Sequence, residues 1–139
     1  MPRVSYTAPA TVDEAVKALA GAAGQAKILS GGTDLLVQLK SGRLKPELII
    51  DTKRIPGIIG IREEGDYFVV GAATPGVMIS ADQRLEHAWP GIVEGVDLIG
   101  SQQIQGRASI AGNLCNASPA ADSVPPVIAA RTIAVVAGP

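Results

Sequence analysis

The sequence is short of the residues on which most catalytic chemistry depends. Its 139 residues hold one cysteine, Cys115, one histidine, His87, and few aromatics: Tyr6, Tyr67, Phe68 and Trp89. A lone cysteine forms no internal disulfide, and with a single histidine it cannot build a structural zinc site. Ser-His-Asp and Cys-His catalysis would both have to use His87. It stands within residues 85–90 at what reads as the approach to a helix start, where a structural or solvent-facing role accounts for it. Trp89 reads as a packing anchor. With so few aromatics there is no base-stacking platform.

An excess of one charge is lacking too. Twelve Lys and Arg face thirteen Asp and Glu, the net charge is -1, and the pI is near 5.8. No basic block marks a nucleic-acid footprint. The longest uncharged stretch, residues 67–81, is broken by Gly71, Pro75 and Gly76 and is too short for a membrane span. The opening MPRVSYTAPATVDEA has no apolar signal core, from which a cytoplasmic protein is expected. Disorder is excluded from the other side, by a hydrophobic content of 47% and a mean hydropathy of +0.28. A domain of this length can bury about 68% of its unfolded surface.

What the chain has in excess is glycine, with 16 residues against an average usage of about 7%. Some of these fall at the ends of regular elements. Thr11-Val12-Asp13-Glu14 is a capping box, in which the Thr11 hydroxyl and Glu14 carboxylate satisfy opposite backbone N–H groups. The helix it starts places Ala15, Val16, Leu19 and Ala20 on one face and stops near Gly21 to Gly24. Lys27-Ile28-Leu29 is a short buried strand. A second helix carries Leu35, Leu36 and Leu39 inward and has Lys40 near its negative end, and Leu48-Ile49-Ile50 is a strand closed by Asp51. Ile58–Ile61 and Tyr67–Val70 flank Glu63-Glu64-Gly65-Asp66 as a β-hairpin. Thr74-Pro75 starts one helix, with Pro75 at its first position. Pro90 starts another, with apolar positions at Val93, Val96 and Ile99. Ile133–Ala137 is a final strand. It ends on the turn signal Gly138-Pro139 with nothing after it, so the chain is expected to be a fragment, or one half of a larger flavoprotein. There is no internal repeat and no low-complexity tract.

Neither a P-loop, GxxxxGK(S/T), nor a GxGxxG dinucleotide turn occurs. The acidic pairs are explained by capping at Asp13 and Glu14 and by a solvated turn at Glu63, Glu64 and Asp66. Lys40, Arg43, Lys45, Lys53 and Arg54 read as a solvated basic surface, and Cys115 as a small buried filler. No catalytic side chain and no metal ligand set is expected. Two segments remain. In Ser30-Gly31-Gly32-Thr33-Asp34, consecutive glycines can turn successive N–H groups toward one point, with a helix start behind them. In Ser109-Ile110-Ala111-Gly112-Asn113, Gly112 can bring backbone close to a ligand while Asn113 offers a donor and an acceptor. Two such loops could hold a pyrophosphate without a lysine.

Together, ILSGGTDLL at 28–36 and QIQGRASIAGNLCNASPAADSVPPVIA at 103–129 resemble the FAD-binding subunit or domain of the molybdenum hydroxylases, the group of carbon monoxide dehydrogenase medium subunits, xanthine dehydrogenase and aromatic acyl-CoA reductases. Members read A/S-G-G-T-D-L, then T-I-G-G-N, then A-S-P-x-x-D. Tyr6, Pro9 and Asp13-Glu14-Ala15 match the family's usual start, and the resemblance covers nearly the whole chain. It implies an α+β fold of the PCMH type, here its N-terminal portion in two small subdomains, about 1–55 and 56–139, the second incomplete. It implies that Ile28, Leu29, Ser30, Gly31, Gly32, Thr33, Asp34 and Leu35 form a first loop along the FAD pyrophosphate. Ser109, Ile110, Ala111, Gly112 and Asn113 would form the second. Asp122 matches the family's cofactor-bonding acid, and Ile99 falls where the family has an apolar residue near the flavin.

The sequence departs from the pattern at Ala111, which stands for the first glycine of G-G-N and would be strained if φ there were positive. Gln105-Gly106 also replaces a common Arg-Asn. By the same resemblance, a large molybdopterin subunit oxidises the substrate, a small subunit carries two [2Fe–2S] clusters, and FAD on this chain passes electrons to an external acceptor. Two other readings are a non-catalytic interaction module that retains no FAD, and a flavoenzyme acting without molybdenum partners.

Overall fold

The computed structural model describes residues 4–138; residues 1–3 and 139, on which part of the reading of the two chain ends rests, lie outside it. Strand and helix alternate through the first half: β1 (Ser5–Thr7), α1 (Val12–Gly21), β2 (Ala26–Leu29), α2 (Leu35–Lys40) and β3 (Leu48–Asp51). The strands form a parallel sheet in the order β1-β3-β2, with Ser5 and Ala26 both opposite Leu48. α1 starts where expected, the Thr11 hydroxyl accepting the Glu14 N–H at 3.2 Å. The Glu14 carboxylate reaches one residue further back than a standard capping box, to the Ala10 N–H at 2.8 Å.

The inward face of α1 is narrower than the sequence suggested. Ala15, Ala18 and Ala22, spaced at i, i+3 and i+7, lie against Ala26, Leu48, Ile50, Ile55 and Ile58. Leu19 and Ala20 are exposed. Three small side chains let the helix lie close to the sheet, and the larger leucine falls off the contact stripe. α2 buries none of its residues: Leu36 is 44% and Val37 63% exposed, against the inward packing expected of this helix.

The second half opens with an antiparallel hairpin, β4 (Ile61–Glu64) and β5 (Tyr67–Val70), in which Ile61 faces Val70 and Glu64 faces Tyr67. Gly65 takes φ +59° in its two-residue turn. β4 thus begins three residues later than expected and includes Glu63 and Glu64. Ile58 serves the first cluster instead, and its carbonyl accepts the Ala73 N–H at 2.8 Å.

Six short helices follow: α3 (Gly76–Ser80), α4 (Gln83–Ala88), α5 (Pro90–Asp97), α6 (Gln102–Gln105), α7 (Ile110–Asn116) and α8 (Val124–Ala129). Pro75 is the N-cap of α3 rather than its first residue. The fully buried Thr74 hydroxyl is engaged elsewhere, donating to the Gly60 carbonyl and accepting the Gly60 N–H, both at 3.0 Å. α4 was not legible as a separate helix. Its cap is Asp82, which accepts the Arg84 and Leu85 N–H groups at 3.0 and 3.2 Å. His87 is therefore inside a helix, and exposed. Trp89 is 45% exposed at the α4–α5 junction and is not a packing anchor.

α5 begins at Pro90 as expected. It contributes Ile92, Val93 and Val96 to the larger core, with Ile79, Leu85 and Val127; Ile61, Phe68 and Val70 of the hairpin pack against them. α8 carries Pro125 and Pro126 in its first turn, where a missing N–H breaks no helical bond. Residues 133–137, expected as a strand, have no regular structure, and Val135 and Val136 are 95% and 86% exposed. A strand exists through a neighbour's N–H and C=O groups, and no described strand pairs with this one. Among the described residues no helix is long and apolar enough to cross a membrane.

Candidate functional site

The stretch expected as the first glycine loop divides into three. Ile28 and Leu29 belong to β2 and Leu35 opens α2, leaving residues 30–34 as the loop itself. It leaves the carboxyl end of a parallel strand, the edge at which open α/β sheets bind their ligands. Gly32 takes φ +83°, a conformation that disfavours any residue with a Cβ. Gly31 is required for a different reason than the one expected. A Cβ there would lie 1.9 Å from the Arg107 carbonyl oxygen, so this glycine lets the first loop press on the chain leading into the second.

The second segment is the start of a helix rather than a loop. Ser109 caps α7, its hydroxyl accepting the Gly112 N–H at 3.1 Å, and residues 110–113 form the first turn. Ala111 accordingly has no positive φ, and the strain that its departure from G-G-N would have implied does not arise. Ile110 packs on the larger core. Asn113 has its side-chain oxygen taken by the Ser123 hydroxyl at 2.7 Å, so that its remaining hydrogen-bonding capacity is the amide N–H donors.

The two segments meet at their serines. The Ser30 and Ser109 hydroxyls are 2.9 Å apart, and Ser30 Oγ also donates to the Ala72 carbonyl at 3.2 Å. A continuous chain of bonds runs from the Gly112 N–H through Ser109 and Ser30 to Ala72. Further out, Gln38 Nε2 of α2 donates to Asn116 Oδ1 of α7 at 3.1 Å. Among the described residues, the backbone N–H groups of Gly31, Gly32, Thr33, Asp34, Leu35, Ile110 and Ala111 donate no hydrogen bond, and Asp34 makes no side-chain cap. Free main-chain donors on two adjoining helix starts suit a ligand rich in anionic oxygens, and the fit to a pyrophosphate rests on them.

The remaining expected residues are not drawn into this cluster by any observed bond. Asp122 is exposed and lines a shallow groove between α5 and residues 119–126. Its neighbour Ser123 is what ties the segment to Asn113. Ile99 is half-buried just beyond the end of α5. Cys115, expected as a buried filler, is exposed on α7. No group of metal-ligating side chains occurs among the described residues.

Sequence reasoning missed the polar cluster at the carboxyl end of β3. Burial pushes the Asp51 carboxyl up, but hydrogen bonds from the Lys53 ammonium, the Lys53 N–H and the Tyr6 hydroxyl outweigh it and hold it below the ordinary carboxylate range. The Tyr6 phenol is raised in turn, first by its bond to Asp51. Lys53, read as one of a solvated basic run, is half-buried and bonds the Ser30 carbonyl at 3.0 Å. Its place two residues past a parallel strand was the available signal.

A family profile described as "FAD binding domain in molybdopterin dehydrogenase" matches residues 2–139. The carbon monoxide dehydrogenase medium chain of Hydrogenophaga pseudoflava is 36% identical over 138 residues, which is 99% of this chain and 48% of that protein. The xanthine dehydrogenase FAD-binding subunit of Escherichia coli O157:H7 is 32% identical over 126 residues, covering 89% of this chain and 42% of that one. Among solved structures, carbon monoxide dehydrogenase from Hydrogenophaga pseudoflava superposes with a TM-score of 0.81 at 37% identity, over 85% of this chain and 41% of that one. The reconstituted CO dehydrogenase from Oligotropha carboxidovorans gives 0.83 at 32% identity, over 88% and 43%. The chain spans less than half the length of these relatives. The α+β, PCMH-type fold expected from the two motifs is the fold shared with them.

Proposed function

This chain belongs to the family of FAD-binding domains of the molybdopterin dehydrogenases, and from that membership we propose that it holds the flavin of a molybdenum-containing hydroxylase or dehydrogenase. The observation that carries the reading is the run of free N–H groups on residues 31–35, joined through Ser30 and Ser109 to those of Ile110 and Ala111. These would take the pyrophosphate oxygens, with the Thr33 hydroxyl beside them. Asp122 would accept a hydrogen bond from the cofactor, and Ile99 would lie near the ring system. What the flavin supplies when bound is electron carriage between the [2Fe–2S] clusters of a small partner subunit and an external acceptor, with the substrate oxidised on a large molybdopterin subunit. In this reading the part of the described side chains is to bind and orient the flavin. A cytoplasmic complex of three kinds of subunit belongs to this proposal, as does a division into subdomains near residue 55. Two hydrophobic clusters and two separate sheets support that division.

The test is reconstitution. Full-length protein stripped of flavin should recover a flavin absorbance spectrum on addition of FAD and should co-purify with an iron–sulfur subunit. Asp122→Ala should weaken FAD binding by about tenfold, the loss expected for one hydrogen bond to a charged group, with the fold unchanged. A colourless protein that takes up no FAD would favour the interaction-module reading. Unchanged affinity in Asp122→Ala would remove Asp122 from the site.

A further inference from the structure

A loop whose amides face a ligand has few internal bonds to fix its shape, so something behind it must do so. Here the backing is Lys53. Its ammonium donates to the Ser30 carbonyl at 3.0 Å and pairs with Asp51 at 2.7 Å. Asp51 is itself fixed, accepting the Lys53 N–H at 3.0 Å on one oxygen and the Tyr6 hydroxyl at 2.8 Å on the other. The cluster therefore joins β1, through Tyr6, and the end of β3, through Asp51, to the first residue past β2. From the opposite side, the Ser30 hydroxyl is held by Ser109 and Ala72. Ser30 is thus gripped at both its carbonyl and its side chain.

We infer that Lys53, oriented by Asp51 and Tyr6, is a positioning residue that sets the first loop for the cofactor pyrophosphate before the cofactor arrives. The inference rests on the proposal that this loop binds FAD. With the Ser30 carbonyl committed to an ammonium, that oxygen does not turn toward the ligand's anionic oxygens, and the amides that follow it are presented instead. Restricting the loop in advance also reduces the ordering cost of binding. The Lys53 charge is balanced by Asp51, so its part is played through Ser30 and not as a phosphate contact.

The experiment uses full-length apoprotein titrated with FAD by flavin fluorescence, at several salt concentrations, alongside thermal unfolding of the apo form. Lys53→Met should raise the FAD Kd by at least about tenfold, as for loss of a hydrogen bond from a charged group, with the salt dependence of Kd unchanged. Lys53→Arg, which keeps a cationic donor, should restore most of the affinity. An unchanged Kd in Lys53→Met, with only a lower apo Tm, would show a purely structural role and overturn the inference. A weaker Kd with a flattened salt dependence would place Lys53 on the phosphates themselves and overturn it as well. Wild-type protein that binds no FAD would sink the cofactor assignment and this inference with it; wild-type binding with an indifferent variant sinks the inference alone.

Discussion

Asp51 sits at the carboxyl end of the central strand of the parallel sheet, beside Tyr6 and Lys53. It closes β3, as the sequence suggested, but its carboxylate is also buried and triply hydrogen-bonded. Because its folded-state value is depressed, the unfolded chain takes up the proton first as acid is added. The stabilisation is full above the unfolded value near 3.8, declines below it, and is lost once the pH falls through the depressed folded value. Asp51→Asn should lower Tm at neutral pH and flatten the acid limb of a Tm–pH profile. An acid limb identical to wild type would mean that the three bonds do not act on folding. Gly31 teaches a related lesson. The sequence suggests that consecutive glycines there turn N–H groups toward one point, whereas the Arg107 carbonyl is what forbids a side chain at Gly31. Neither contact could be read from the sequence, since each joins residues brought together by the fold.

At the scale of elements, what was legible followed local chemistry. The Thr11 cap, the Pro90 start, β3 and the hairpin turn at Gly65 were written in neighbouring residues, and they stand where expected to within a few positions. What failed was of two kinds, local caps passed over at α4 and α7 and pairings that depend on distant partners. α4 hides behind Asp82, whose carboxylate accepts two N–H groups and also pairs with Arg84 at 2.6 Å. Arg84 in turn reaches Glu63 of β4 at 3.0 Å. Asp82→Ala should cost about 1–2 kcal/mol of stability in urea unfolding, while leaving FAD affinity alone, because α4 packs mainly on α3 and α5. A loss of affinity matching the loss of stability would show that the two are coupled. The segment 133–137 has strand-forming residues, but no described strand pairs with it, a condition that no local pattern reports. Gly112 and Asn113 give the first turn of α7 the look of a loop, yet its Ser109 cap stands one residue before it.

For the whole molecule, the shortage of histidine, cysteine and aromatics and the glycines of the two segments fit one reading, while other glycines such as Gly65 serve turns. On the proposed function, the chain would be a scaffold that presents main-chain donors, with the chemistry brought by the flavin it binds. One hydrophobic cluster lies on the parallel sheet and one among the helices of the second half, and the glycine segments meet through the Ser30–Ser109 hydrogen bond. The candidate site was legible as two separated motifs; that their serines touch, and that Lys53 backs them, was not. The most direct test of this account is the flavin content of full-length Gly32→Val protein. A side chain at φ +83° that must also displace the Leu29 and Leu36 methyl groups distorts the loop at its centre. Folded by circular dichroism, the variant should retain no FAD under conditions in which wild type keeps it, whereas a folded variant with normal flavin content would contradict the account.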